Sequence, residues 1–190
     1  MPRISAATVA EHRAAQLAAL LGAAVELIHE KGIEAVTPKA VGERAGLARS
    51  SVYEYFASRD DILVAVAIAA IERWDAEVEE RLAGRTGMER LSLFVYESMR
   101  MAAEGRHHIA TQLAQAQLSP NDRDELARMH AELMRPVDLV LSDLEVEQPT
   151  IVGALTQSLL EGGMRLVEHG ADPDVVADRI VRMLTSAIQH

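Results

Sequence analysis

Residues 46–56 read GLARSSVYEYF. An arginine, two adjacent serines and two tyrosines follow one glycine, in a chain whose formal charge is -10. Such side chains bind phosphate oxygens and read base edges, so the neighbours must decide what the segment is. Upstream, Thr37-Pro38 supplies a helix N-cap and a first-turn proline. The short helix it opens runs to Ala45, and Gly46 can then take the positive φ of a sharp turn. The quoted segment forms a second short helix. Ser58-Arg59-Asp60-Asp61 starts the next one, with a capping residue and two acids at the positive end of the dipole. Val41, Ala45, Leu47, Val52 and Phe56 supply apolar faces that lock the two short helices against the helix before them. That is the pattern of a helix-turn-helix, whose second helix enters the DNA major groove. Arg49, Ser50, Tyr53 and Glu54 then point outward. Arg49 can pair with guanine O6 and N7, Ser50 and Ser51 can donate to phosphate or base, and Tyr53 and Tyr55 offer phenolic donors at phosphate height. Taken singly, Arg49 also reads as a solvated arginine, Tyr53 as core packing and Arg3 as part of a disordered terminus; the setting favours DNA for the first two.

Outward from this motif, nearly every segment reads as helix. Thr8-Val9-Ala10-Glu11 has the form of a capping box, and Leu17, Leu20, Leu21, Ala24, Leu27 and Ile28 make an amphipathic stripe that ends at Gly32. After Ser58, the residues Leu63, Val66, Ala70, Trp74, Val78 and Leu82 hold one stripe to Gly84. Thr86-Gly87-Met88-Glu89 predicts another capping box for a helix closed by Gly105. A shorter helix is expected from Arg106 to Leu118. A helix capped at Ser119 is expected to reach about Leu144 with a kink at Pro136. Pro149–His169 and a last helix capped at Asp172-Pro173 complete the chain. The fold class is all-α, with about nine helices by periodicity: a three-helix helix-turn-helix domain over residues 8–57 and a helical bundle over 58–190.

Charge divides the chain at a similar place. Residues 1–60 carry seven Lys/Arg and seven Asp/Glu, so the whole negative excess lies in the remainder. The first part can approach a polyanion with its charges sorted by face, and the second would be repelled by one. There is no cysteine, which excludes disulfides, thiolate metal sites and cysteine nucleophiles and fits a reducing compartment. With no signal-peptide core and no apolar run of membrane-span length, a cytoplasmic location with no membrane contact is expected. No phosphate-binding glycine loop, dinucleotide fingerprint or nucleophile elbow is present. Neither a catalytic residue nor a cofactor is expected. His107-His108 point in different directions on a helix and make a poor chelate, so no metal is expected either.

The stretch TPKAVGERAGLARSSVYEYFASRDDIL, residues 37–63, resembles the DNA-binding motif of the tetracycline-repressor (TetR) family of bacterial transcriptional regulators. The matching residues are Thr37, Val41-Gly42, Ala45-Gly46-Leu47, Val52-Tyr53, Tyr55-Phe56 and Arg59. The resemblance implies that Thr37, Tyr53, Tyr55 and Arg59 hold phosphates, that Lys39, Arg49 and Ser50 face bases, and that Ser51 lies near the backbone. It departs from the family in Tyr55, where a histidine is usual, in Ala48, where a Ser or Thr often caps the reading helix, and in Glu54. The implied partners are a double-stranded DNA operator, a small-molecule effector and a second copy of the chain. The implied activity is a ligand-responsive repressor. A carrier or enzyme built on a helical bundle is the competing class, which would not need Lys39, Arg49, Tyr53 and Arg59 around one short turn.

Within the bundle, methionines at 88, 99, 101, 129, 134 and 164 suit an irregular core or an adaptable pocket. Trp74, Met99, Gln112, Gln115 and Met134 are the expected lining of an effector pocket. Gly153, Gly162 and Gly163 lie within one helix, where glycine is costly unless another helix approaches closely. Leu155, Leu159 and Leu166, with Ile180 and Leu184 on the last helix, are the expected dimer contacts, some shared with the monomer core.

Overall fold

The computed structural model describes residues 6–106 and 119–188. Regular structure among them is entirely helical: α1 (Ala6–Lys31), a 3-10 turn (Ile33–Ala35), α2 (Pro38–Ala45), α3 (Arg49–Tyr53), α4 (Arg59–Leu82), α5 (Gly87–Ala103), α6 (Pro120–Glu132), α7 (Arg135–Asp143), α8 (Pro149–Glu168) and α9 (Pro173–Ile188). The helix expected over 106–118 lies outside the described residues apart from Arg106.

Local chemistry sets most of the boundaries. Ser58 accepts from the Asp61 N–H at 3.1 Å while the Asp61 carboxylate accepts from the Ser58 N–H at 2.9 Å, a reciprocal capping box. Ser119 caps α6 and Asp172 caps α9 through bonds to backbone N–H groups of the first turn. Three expectations need correction. α1 begins at Ala6, ahead of the box expected at Thr8. Thr86 precedes α5 without capping it through its side chain, and Glu89 is instead paired with Arg85. The single kinked helix over 119–144 is two helices. α6 closes through bonds from Leu133 and Met134 to the carbonyls of His130 and Ala131, and α7 restarts with Pro136 in its first turn. There the missing proline N–H has no partner to lose.

Packing produces two separate cores. The first joins α1, the 3-10 turn, α2 and α3 to the beginning of α4: Leu20, Ala24, Leu27, Ile28, Val36, Val41, Val52 and Phe56 meet Ile62, Leu63, Val66 and Ala67. The second begins on the same helix at Trp74 and gathers Val78 and Leu82 with residues of α5, α7, α8 and α9. α5 is central to it, touching α7, α8 and α9. One continuous 24-residue helix, α4, therefore serves both cores. α6 lies along α4, buries none of its residues, and places Leu126 against the first core.

Arginine pairs fasten the second half of α4. Glu79 accepts from Arg90 of α5 at 3.1 Å and from Arg135 of α7 at 3.0 Å, and Glu77 accepts from Arg106 at 2.7 Å. Arg81 of α4 reaches the buried Glu97 of α5 at 2.7 Å, which Arg100 also holds at 2.6 Å. Of the three glycines in α8, only Gly163 is closely approached. A Cβ there would lie 2.6 Å from Ile180 Cδ1 and 3.0 Å from Met99 Sδ, whereas at Gly153 and Gly162 it would make only ordinary contacts, at 3.5 Å and 3.8 Å.

Candidate nucleic-acid interface

The turn between α2 and α3 is built by two glycines. Gly46 closes α2 in the left-handed conformation, φ 71° and ψ 25°, which a side chain would disfavour. Gly42 lets the helices meet: a Cβ there would lie 2.9 Å from Val52 Cγ2 and 3.0 Å from the Leu47 carbonyl oxygen. The Leu47 N–H donates to the Gly42 carbonyl at 2.8 Å. Val52 is the buried residue of α3, so α3 is held by its inner side and presents the rest outward.

α2 is in turn fixed on α1. Arg44 donates to Glu30 at 2.6 Å and to Glu26 at 3.0 Å. Hydrogen bonding to that guanidinium holds the Glu30 carboxyl below its ordinary value. This arginine is occupied inside the fold, and the outward cations are Lys39 and Arg49.

Thr37 lies at the head of α2, where its hydroxyl accepts from the Ala40 N–H at 3.1 Å. Its own O–H remains available to donate. Lys39 is exposed beside Glu43 at 3.8 Å. On α3, Arg49, Ser50, Tyr53 and Glu54 are exposed and Ser51 is half-buried. Arg49 Nη2 donates to the Tyr53 hydroxyl at 2.9 Å, with the guanidinium carbon 5.4 Å from the ring centroid. Ala48 occupies the N-cap without a side-chain bond; the Ser51 and Val52 N–H groups use its carbonyl instead.

Two residues expected on phosphates do something else. The Tyr55 hydroxyl turns back to α1 and donates to Gln16 Oε1 at 2.8 Å, with Arg13 stacked 5.3 Å from its ring centroid. Arg59 donates through Nε to the Val36 carbonyl at 3.0 Å and through Nη2 to the Ile33 carbonyl at 2.9 Å, and pairs with Glu34 at 3.2 Å. The first residue of α4 thus clasps the turn between α1 and α2. Both partners lie far away in sequence, so local pattern could not reveal them. Thr37, Lys39, Arg49, Ser50 and Tyr53 are exposed, whereas Tyr55 is bonded to α1 and Arg59 to the 3-10 turn.

Residues 20–66 match the family model described as bacterial regulatory proteins, tetR family. The segment that builds the head therefore matches the DNA-binding region of that family. The chain is similar to the fatty acid metabolism regulator protein of Bacillus subtilis, 27% identical over 189 residues and covering 90% of this chain and 94% of that one. The HTH-type transcriptional repressor KstR of Mycolicibacterium smegmatis is 38% identical over 77 residues, 40% of this chain and 38% of that repressor's length. Among solved structures, the transcriptional regulator FadR from Bacillus subtilis, in complex with stearoyl-CoA, superposes with a TM-score of 0.74 at 19% identity, covering 90% of this chain and 98% of that one.

The bundle holds the remaining expected residues unequally. Trp74 and Met99 are buried in the second core and Met134 packs partly against it, while Gln112, Gln115 and the His107-His108 pair lie outside the described residues. Arg106 stacks 5.9 Å from the Trp74 ring centroid. Leu155 and Leu166 are 60% and 59% exposed, and Leu159 is half-buried. Ile180 and Leu184 face inward and are consumed by the monomer core; the large apolar residues that α9 exposes are Val175 and Met183. An open apolar groove of about 440 Å³ runs between α8 and α9, lined by Leu159, Gly162, Leu166, Val175, Val176 and Met183 among others. Among the described residues, no helix is long and apolar enough to cross a membrane, and no three His, Asp or Glu side chains converge on a metal position.

Proposed function

We propose that this chain is a cytoplasmic, non-enzymatic repressor of the TetR type that binds a roughly palindromic operator as a homodimer and leaves it when its bundle takes up the apolar part of a small effector, an acyl thioester in the first instance. The observation that carries the reading is α4. Its first residues sit in the core that supports α3, and its second half is packed and ion-paired in the bundle core. A ligand that shifts the second half of α4 thereby tilts the reading helix, and in a dimer the spacing of the two heads changes. The division into a DNA-binding unit over 8–57 and a ligand-binding and dimerisation unit over 58–190 is part of the proposal, with α4 as the lever between them. The acyl thioester is suggested by the FadR structure that holds stearoyl-CoA and is chemically consistent with the buried Trp74, Met99 and Met164.

Dimerisation is supported by a stripe along α8. Ile151, Leu155, Leu159, Gly162 and Leu166 recur at spacings of three and four, so they share one helical face, and three of them are more than half exposed. A Cβ at Gly162 would meet only the flexible Arg165 side chain, at 3.8 Å, which leaves room for a partner helix to approach. The groove between α8 and α9 is broad and has an exposed rim, which suits a second helix pair better than a small molecule. On the DNA side, Thr37 and Tyr53 are proposed to hold phosphates, with Ser51 near the backbone and Lys39, Arg49 and Ser50 facing bases.

The experiment is a linked titration. A duplex selected from random DNA by the wild-type protein serves as operator, and acyl-CoAs of graded chain length are titrated with and without it. A differential affinity of about 3 kcal/mol between the two states changes DNA binding more than a hundredfold, and reciprocity requires the duplex to weaken acyl-CoA binding by the same factor. Binding that is equal in both titrations removes acyl thioesters as effectors.

A further inference from the structure

Among the cations between residues 37 and 59, Arg49 is distinguished by its partner. Lys39, Arg44 and Arg59 each lie beside a carboxylate. Arg49 has a phenol: it donates one N–H to the Tyr53 hydroxyl and stacks above the Tyr53 ring. A carboxylate partner would have to be displaced before a guanidinium met DNA. A phenol leaves the charge intact, occupies one of five N–H donors, and leaves the others for an acceptor pair such as guanine O6 and N7. Stacking also restrains a side chain that otherwise loses substantial rotamer freedom when it binds.

We propose that Tyr53 is a positioning residue for base readout: it fixes the Arg49 guanidinium toward one base pair and ties it to the DNA backbone. The tyrosine hydroxyl accepts from Arg49 and keeps its own proton to donate, so a phosphate oxygen can be the next member of the chain. The one-turn spacing of 49 and 53 places both side chains on the same outer side of α3. Val52, between them on the opposite side, anchors the helix in the core. The register of α3 on the phosphates and the direction of the arginine are then set by one side chain. This inference rests on the proposed meeting of Arg49 with a base.

The test uses the full chain and a duplex selected from random DNA by the wild-type protein. Discrimination at each position is measured as the affinity ratio between that duplex and single-base-pair variants, for wild type, Arg49→Ala, Tyr53→Phe and the double variant. Expected is that Arg49→Ala collapses discrimination at one guanine. Tyr53→Phe, which keeps the ring and removes the hydroxyl, should lower discrimination at that same guanine by about tenfold and leave other positions alone, as loss of a charged hydrogen bond predicts. In the double variant Tyr53→Phe should have no further effect on that ratio. Replacing the guanine with 7-deazaguanine, which deletes only the N7 acceptor, should penalise wild type more than Tyr53→Phe. If Tyr53→Phe weakens every duplex by one factor, Tyr53 is a phosphate ligand alone and the inference falls while Arg49 stands. If Arg49→Ala leaves every ratio unchanged, both fall together.

Discussion

The two cores that share α4 are built from different materials. Among the described residues, the head buries only apolar side chains, and its one multiply paired arginine, Arg44, works at the surface between α1 and α2. The bundle buries Glu97, Ser98 and Thr156 as well, and holds Glu97 between two arginines. Their surfaces differ in the opposite sense. Most large exposed apolar side chains belong to the bundle, on α7 to α9, whereas the head exposes Val9 and Tyr53. An apolar core is indifferent to ionic conditions and keeps one arrangement. Ion pairs along a helix seam can be re-formed in a displaced register more readily than interlocked hydrocarbon. The head is suited to delivering side chains to DNA in fixed geometry, and the bundle to changing state.

The largest effect expected is from emptying either core. Leu63→Ala and Leu141→Ala should each cost about 2–5 kcal/mol, the usual range for a fully buried leucine. If the cores are separate, amide exchange should rise in α1–α3 for the first variant and in α5, α7 and α8 for the second. Identical exchange maps would merge the two cores into one. Next comes the bundle's outer face. Leu155→Glu puts a charge on the exposed stripe of α8 and should disrupt the proposed dimer, a loss of roughly 2 kcal/mol or more for an interface anchor, while leaving the monomer's helicity intact. A dimer that persists in sedimentation at micromolar concentration would remove α8 from the interface.

Gly42→Ala tests the rigidity of the head. The new Cβ meets a carbonyl oxygen and a β-branched side chain, so thermal unfolding should reveal a loss of about 1–3 kcal/mol, the typical cost of overpacking. Gly162→Ala, whose Cβ makes only an ordinary contact with Arg165 at 3.8 Å, should not destabilise the monomer by overpacking. The smallest effect is that of pH. Glu30 and Glu77 are held below the ordinary value of 4.5 by hydrogen bonds from Arg44 and Arg106. In the folded state they bind fewer protons than in the unfolded one, so their contribution is complete above pH 4.5 and is lost as pH falls through the lower folded values. Arg44→Met should flatten that acid limb in the head, and an unchanged acid limb would show the Glu30 pair to be inconsequential.

Sequence disclosed what is local. The caps at Thr37, Ser58, Ser119 and Asp172 are each completed within a turn, so residue type and spacing reveal them. The outward set on α3 follows from one buried position, Val52, and helical geometry. Thr86 misled because the form of a capping box does not ensure its bonds, and Glu89 found a partner in Arg85. Residues 119–144 looked continuous because the apolar spacing carries across a break that the backbone bonds of Leu133 and Met134 impose. Tyr55 and Arg59 were beyond reach, since their partners lie 39 and 26 residues away. The α9 stripe was found without its sides: Ile180 and Leu184 are inward only because α9 packs on α5 and α8.

The shortness of α3 has a consequence for descent. Of its five residues only Val52 is buried, so Arg49, Ser50 and Tyr53 contribute little to the head's own packing. Exchange of Arg49 or Ser50 therefore costs the head little stability, so what the outer side of α3 recognises can change without a new fold.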